Sequence, residues 1–540
     1  MAKKELPLSV HAICLLSFAS LVVSLWMLPV LLAGFLYTIP TLVVLHAQAL
    51  ASTGIIDGVA SPLAVVTFRL LAPFIEWENS MGWSLVTCIV MAASMIVFWW
   101  NVRKLFDARI AWMTIAIYSF MPITWLNAVS ANGYAFAQLF LFLGFAFFLH
   151  FANTRRLLAI ILLAICFGLT FASAHAFITF LPWMCLALLW HNRKAWKKSI
   201  IEITAFLIVA YIGTMLPMLP NALHSGSTII ERIQVFLPSA SEHGMTPGHL
   251  YPDNYAYTFL REELDARFVE SNASAHFLTQ QQNKYVYLNF GVGDLHFIDG
   301  IQNGFWLFLH TFPELLVQEY LGGAFLWIFI LVGMVHLYGT RRSILFHFVS
   351  LWFLMEFLLR FVLHFGRTHL MDIGWGFALF TAVGAVVLCD SFSKNQKRIS
   401  TAVCCTAFTF LIVMQLTQSN RKLFARLYSK STVPQSLALK EGLSIIPKES
   451  VVAHPRKEHL FYYSDRNHVS IHPDTIDILK EKGRVRDPFD YYGITHIFGY
   501  DEDYTNIITS ADPSLQIVSP PEAVPVSVTP VTKYILHLIR

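Results

Sequence analysis

Apolar runs long enough to cross a bilayer recur along this chain, and basic residues gather in every second gap between them. Crossing ~30 Å of hydrocarbon takes about 20 apolar residues in a helix. Eleven such runs are legible: residues 11–31, 81–101, 109–127, 133–152, 156–173, 175–191, 199–218, 323–340, 343–363, 371–390 and 399–417. Composition agrees with this reading. Hydrophobic residues make up 56% of the 540 and charged residues only 13%, about half the ~25% usual in soluble domains. A soluble domain has no interior large enough for that much apolar surface, whereas lipid accepts it. The expected fold class is an α-helical polytopic membrane protein of about eleven transmembrane helices.

Loops on the cytoplasmic side of a membrane collect Lys and Arg. Lys3 and Lys4 precede the first run. Arg103, Lys104 and Arg109 follow the second, and Arg155 and Arg156 the fourth. Arg193, Lys194, Lys197 and Lys198 follow the sixth, Arg341 and Arg342 the eighth, and Lys394, Lys397 and Arg398 the tenth. The alternation predicts a cytoplasmic N-terminus and an extracytoplasmic C-terminus. The first run is long and lacks a small-residue cleavage site after it, so it reads as a span rather than a signal peptide. All seven cysteines lie within apolar runs, so no disulfide framework or cysteine metal site is expected. No cofactor, metal or nucleic-acid partner is predicted.

Three segments on the outer side have real length. Residues 32–80 and 219–322 are loops of a transmembrane domain over 1–417, and residues 418–540 form a separate domain. In the first loop, "TLVVLHAQALAS" and "SPLAVVTFRLLAPF" place apolar residues at helical spacing. They predict two surface helices with Asp57 and Gly58 in the turn between them. The second loop carries a charged helix, "TFLREELDARFVE", an interfacial helix, "FLHTFPELLVQEYLG", and a glycosylation-like sequon at Asn272. In the C-terminal segment "SVVAHP", "HVSI", "THIFGY" and "KYILHLI" read as strands, and "DTIDILKEKG" and "DEDYTNIITSA" as helices. A small α/β domain is expected there. Asp501 to Asp503 read either as a cation site or as the acidic first turn of a helix.

A charge at the bilayer centre costs ~2.5–3.5 kcal/mol on insertion scales. Glu356 and Arg360 stand four apart in the ninth run, where an ion pair or a substrate-lining role accounts for them. His364, Arg367, His369 and Asp372 crowd the following segment. Arg367 has the planar fork that grips a phosphate, and headgroup anchoring is the alternative. His175 interrupts "FASAHAFITFLP" at a membrane edge, either as a structural residue or as a phosphate partner.

The stretch 103–152, "RKLFDARIAWMTIAIYSFMPITWLNAVSANGYAFAQLFLFLGFAFFLHF", resembles the GT-C integral-membrane glycosyltransferases of the protein O-mannosyltransferase and aminoarabinose-transferase type. In that family a basic turn leads into a span ending in Pro, followed by a short outer loop and an aromatic-rich span. Lys104, Leu105, Phe106 and Pro122 stand at the matching places. "HAQALASTG", "ASPLAVVTFRLL", "FGLTFASAHAFITFLP" and "FGRTHLMDIGWGFAL" are similar to further family segments, and the likeness covers most of residues 10–390.

The resemblance implies a sugar delivered on a polyprenyl phosphate, an acid in the first outer loop acting as general base on the acceptor, and basic groups holding the phosphate that leaves. The first family acid falls at Ile39 or Pro40, and the second near Asn132 to Tyr134, and neither place has a carboxylate. Asp57, Glu76 and Glu78 are the nearest outer-loop acids. Asp57 is the candidate base, with a plain turn residue as its other reading. Arg367, His175, Arg69, Asp294 and His296 are the candidate groups for the substrate and lipid phosphate. The expected partners are a polyprenyl-phosphate-linked sugar donor, membrane lipid and an acceptor of unknown identity. A catalytically silent scaffold or carrier-binding protein in envelope assembly is the second reading, motivated by the missing acids. A transporter is the third.

Overall fold

The structure is a computed structural model. It describes residues 8–33, 43–44, 47, 61–77, 79–154, 156–174, 177, 180–191, 196–219, 322–323, 325–355, 371–395 and 398–429. In the C-terminal part it describes 443, 447, 449–454, 467–470, 476, 479–481, 483–499, 502–512, 522–524 and 534–538.

The membrane part is a helical bundle. Its helices are α1 (Leu8–Ala33), α2 (Pro62–Leu71), α3 (Ser80–Leu105), α4 (Ala108–Phe120), α5 (Pro122–Val129), α6 (Tyr134–Thr154), α7 (Leu157–Ser173), α8 (Phe180–His191), α9 (Trp196–Met215), α10 (Leu326–Thr340), α11 (Arg342–Met355), α12 (Met371–Asn395) and α13 (Arg398–Ser429). A helix lies over each of the eleven predicted runs. Length and composition qualify fewer of them as spans. Among the described residues five helices are long and apolar enough, within α1, α3, α6, α9 and α12, and a bent pair makes a sixth. The expected count of eleven is not confirmed among the described residues, where α7, α8 and α10 are shorter apolar helices.

The bent pair corrects the expected straight span over 109–127. Helices α4 and α5 meet at 65°. Pro122 has no N–H to continue the ladder, and Met121 takes an extended conformation (φ −62°, ψ 134°). Carbonyls freed by the break find donors on distant helices. The Trp26 indole of α1 donates to Ser119 O at 2.9 Å, and the Asn420 amide of α13 donates to Phe120 O at 2.7 Å. The Trp125 indole of α5 donates back to Trp26 O at 3.2 Å. In lipid such carbonyls have no water to turn to, so these three bonds fix where α5 points.

Close packing replaces hydrophobic driving force between membrane helices. Helices α10 and α12 meet at Gly333 and Gly384. A Cβ on Gly333 would lie 2.2 Å from Phe380 O, and one on Gly384 1.9 Å from Phe329 O. The backbones therefore touch, as small residues permit. An aromatic core fills the centre: Phe98 stacks on Phe142 with centroids 4.4 Å apart, and Trp375 sets its edge against both rings.

One end of the bundle is basic. The Arg109 guanidinium grips Asp390 of α12 with two bonds of 2.9 and 2.7 Å. Arg341 donates to Leu105 O at the C-terminus of α3 and lies over the Phe106 ring. Arg103 and Lys104 lie over Trp99 and Trp100. The basic gaps after the second and eighth runs thus share one end, as their charge pattern predicts.

The C-terminal part holds strands β1 (Val451–His454), β2 (Asn467–Ser470), β3 (Ile494–Gly499), β4 (Glu522–Val524) and β5 (Tyr534–Leu538), with α14 (Asp487–Tyr492) and α15 (Glu502–Ala511). The sheet runs β2-β1-β3-β5-β4. Strand β1 pairs in parallel with β2 and β3, and β5 pairs antiparallel with β3 and β4. Ala453, Ile476, Leu479, Val485, Phe489, Ile497 and Ile508 form its own core. The four predicted strands are present. Strand β4 and helix α14 were not predicted. Gly493 closes α14 in the left-handed conformation (φ 61°) that favours glycine.

Candidate functional site: a neutral junction at the end away from the basic rim

Three chain segments converge at the end of the bundle opposite Arg109 and Arg341. The first is the start of α2, from the first loop. Apolar residues at positions 62, 64, 65 and 68 give it one buried face, which packs with Val43, Val44, Ala47, Trp83, Ala131 and Phe136. The second is the turn 130–133 between α5 and α6. The third is the C-terminus of α7 at Ser173 and Ala174.

Gly133 sits where they meet. A Cβ there would lie 1.8 Å from Ser173 O and 2.5 Å from the Ser61 hydroxyl. Only a residue without a side chain lets the turn approach that closely.

Hydroxyls and amides line the junction. Ser61, Asn127, Ser130, Asn132 and Ser173 are all buried. Asn132 Oδ1 accepts from Tyr134 N at 3.0 Å, and its Nδ2 donates to Asn127 Oδ1 at 3.4 Å. Asn127 Nδ2 in turn donates to Ile123 O at 3.0 Å. Ser130 Oγ donates to Leu126 O, and Ser173 Oγ to Leu169 O, both at 2.7 Å. None of these five side chains carries a charge, and among the described residues no group of three His, Cys, Asp or Glu side chains could hold a metal ion. Amides and hydroxyls can hold a sugar hydroxyl by hydrogen bonds. They cannot take a proton from it at neutral pH, so these groups supply no general base.

Asp57, His175, Arg367, Asp294 and His296 lie outside the described residues, as do Ile39, Pro40, Glu356 and Arg360. Arg69 is described. It is exposed in the last turn of α2, one residue past buried Phe68, and does not join the junction. Asn132 to Tyr134, where the resemblance puts the second family acid, form the junction's centre. Sequence reasoning missed Ser61, Asn127 and Ser173. No local signal marks them, because their importance comes from long-range contact.

The fold is that of the GT-C integral-membrane glycosyltransferases. Two solved structures show it. The chain matches ArnT from Cupriavidus metallidurans bound to undecaprenyl phosphate at 10% identity over 98% of each chain, with a TM-score of 0.53. It matches the Archaeoglobus fulgidus oligosaccharyltransferase in the apo form at 10% identity over 92% of this chain and 72% of that one, with a TM-score of 0.52. No protein-family model matches the chain, and no curated protein matches it by sequence. The chain is an integral membrane protein of this fold.

Proposed function

We propose that the chain binds a polyprenyl-phosphate-linked sugar and transfers the sugar to an envelope or protein acceptor on the outer face of the membrane. The observation that carries this reading is the correspondence over 98% of both chains with ArnT, whose structure holds undecaprenyl phosphate. The basic end is cytoplasmic in this reading, following the positive-inside rule, and the junction and the C-terminal domain face outward. Asp57 takes the proton from the acceptor hydroxyl. The acceptor oxygen bonds to the anomeric carbon, the bond from that carbon to the phosphate oxygen breaks, and the carrier leaves as its phosphate. Arg367 and His175 hold that phosphate as its charge grows. Asp294 and His296 line the sugar, and Arg69 meets lipid phosphate.

A second reading is binding of the carrier without transfer. It is favoured by one observation: neutral Asn132, donating to Asn127, stands where the family resemblance puts an acid. A transporter has less support. Central transport sites pair two broken helices, and one break, at Pro122, is found among the described residues.

Carrier binding is expected in both leading readings. Undecaprenyl phosphate at about 100 times its dissociation constant should stabilise the purified chain by ~2.7 kcal/mol, and undecaprenol should not. Equal shifts with both lipids, or none with either, would remove both readings.

A further inference from the structure

We propose that Leu70, Pro73 and Phe74 form a rigid apolar wedge that enters the lipid leaflet beside α3, with Arg69 against glycerophospholipid phosphates. This inference is independent of any sugar transfer. The buried face of α2 is used up on the bundle. Its other face ends in an apolar edge that nothing in the described structure covers: Leu70 is 70% exposed, Phe74 84%, and Pro73 is exposed between them.

The edge is held rather than loose. Ala72 N donates to Phe68 O at 2.9 Å, Phe74 N to Leu71 O at 2.9 Å and Ile75 N to Leu71 O at 3.2 Å. Just beyond, the Trp83 indole donates to Trp77 O at 3.1 Å and the two rings stack. The Asn79 side chain accepts from Gly82 N and caps α3. Phe74 is therefore presented in a fixed place by a turn bonded on both sides.

Continuity identifies the occupant. Below the turn, Met81, Leu85 and Ile89 are exposed on α3 at i, i+4 and i+8, a single stripe along a membrane-spanning helix. That stripe faces hydrocarbon. The turn lies against the start of α3, where a Cβ on Gly82 would come within 2.8 Å of Ile75 Cγ2, so Phe74 and Leu70 belong in this proposal at the depth where amphipathic segments settle between headgroups and chains. The charges flanking the edge are Arg69 and Glu76, both exposed. Arg69, in the last turn of α2, stands next to Leu70 in sequence, at the level of lipid phosphates. The consequence is mechanical. The wedge pins α2 to the leaflet, and α2 carries Ser61 into the junction.

The test places p-benzoylphenylalanine at position 74, or at lipid-facing position 85 as reference, in chains reconstituted in phosphatidylglycerol–phosphatidylethanolamine nanodiscs. After irradiation, lipid adducts are read by intact mass. Both positions are exposed, so the substituted chains should fold. The wedge predicts a lipid adduct at 74 within about fivefold of that at 85. A yield more than about fivefold lower, or an adduct with the mass of a second protein chain, overturns it. Arg69→Glu puts a like charge against the phosphates and should lower the adduct at 74 severalfold. An unchanged yield removes Arg69 from the proposal.

Discussion

Gly133→Ala lowers the thermal stability of the chain by about 1–3 kcal/mol, the cost of forcing atoms into a packed site. The upper end is expected, because the nearest atom to the new methyl is the Ser173 carbonyl oxygen at 1.8 Å. That oxygen is backbone, at the end of α7, and cannot rotate away. The Ser61 hydroxyl at 2.5 Å can turn, so adding Ser61→Ala should recover little of the loss. Gly339→Ala is the matched control. A Cβ there meets nothing within 4 Å, and a helical alanine should gain about 0.5–1 kcal/mol. Thermal unfolding of purified protein in one detergent reads all three variants. If Gly133→Ala melts within about a degree of the unsubstituted chain, the three segments do not meet as described.

Asp57→Asn lowers sugar transfer roughly 100-fold or more, the usual contribution of a positioned general base. The swap keeps shape and hydrogen bonding but removes the ability to take a proton. Glu76→Gln is the companion variant. Glu76 is exposed and should transfer at the unsubstituted rate. The buried amides of Asn127 and Asn132 sharpen the prediction. Asn132 is engaged by Asn127 of α5 and by Tyr134 N, and an amide takes no proton at neutral pH, so neither residue replaces a missing base. Transfer by Asp57→Asn within about threefold of the unsubstituted chain would move the base elsewhere. Carrier binding should survive the substitution, which separates lost chemistry from lost folding.

The bundle was readable because lipid imposes a crude rule: long apolar runs, with basic residues held back on one side. Runs such as 81–101 and 133–152 lie within α3 and α6. The surface helix α2 was equally plain, since Pro62, Val65 and Phe68 recur at helical spacing. The run over 109–127 reads as a single span, so neither the break at Pro122 nor its direction was legible. The direction is set by Trp26 and by Asn420, 300 residues beyond the carbonyl it holds. Strand β4 has three residues, too few to show a period of two. The junction was half legible. The resemblance pointed to Asn132 to Tyr134, yet nothing local to Ser61 or Ser173 says that both press on Gly133. Such contacts exist only once the chain has folded.

Donor turnover in sealed proteoliposomes tests the central claim most directly. Undecaprenyl-phosphate-linked sugar is supplied in the bilayer with an envelope acceptor fraction, and free undecaprenyl phosphate is measured. Its release together with labelled acceptor, on the side of the membrane away from Arg109 and Arg341, is the predicted result. A donor that stays intact while the protein demonstrably holds the carrier would contradict transfer, leaving a carrier-binding protein with a glycosyltransferase fold.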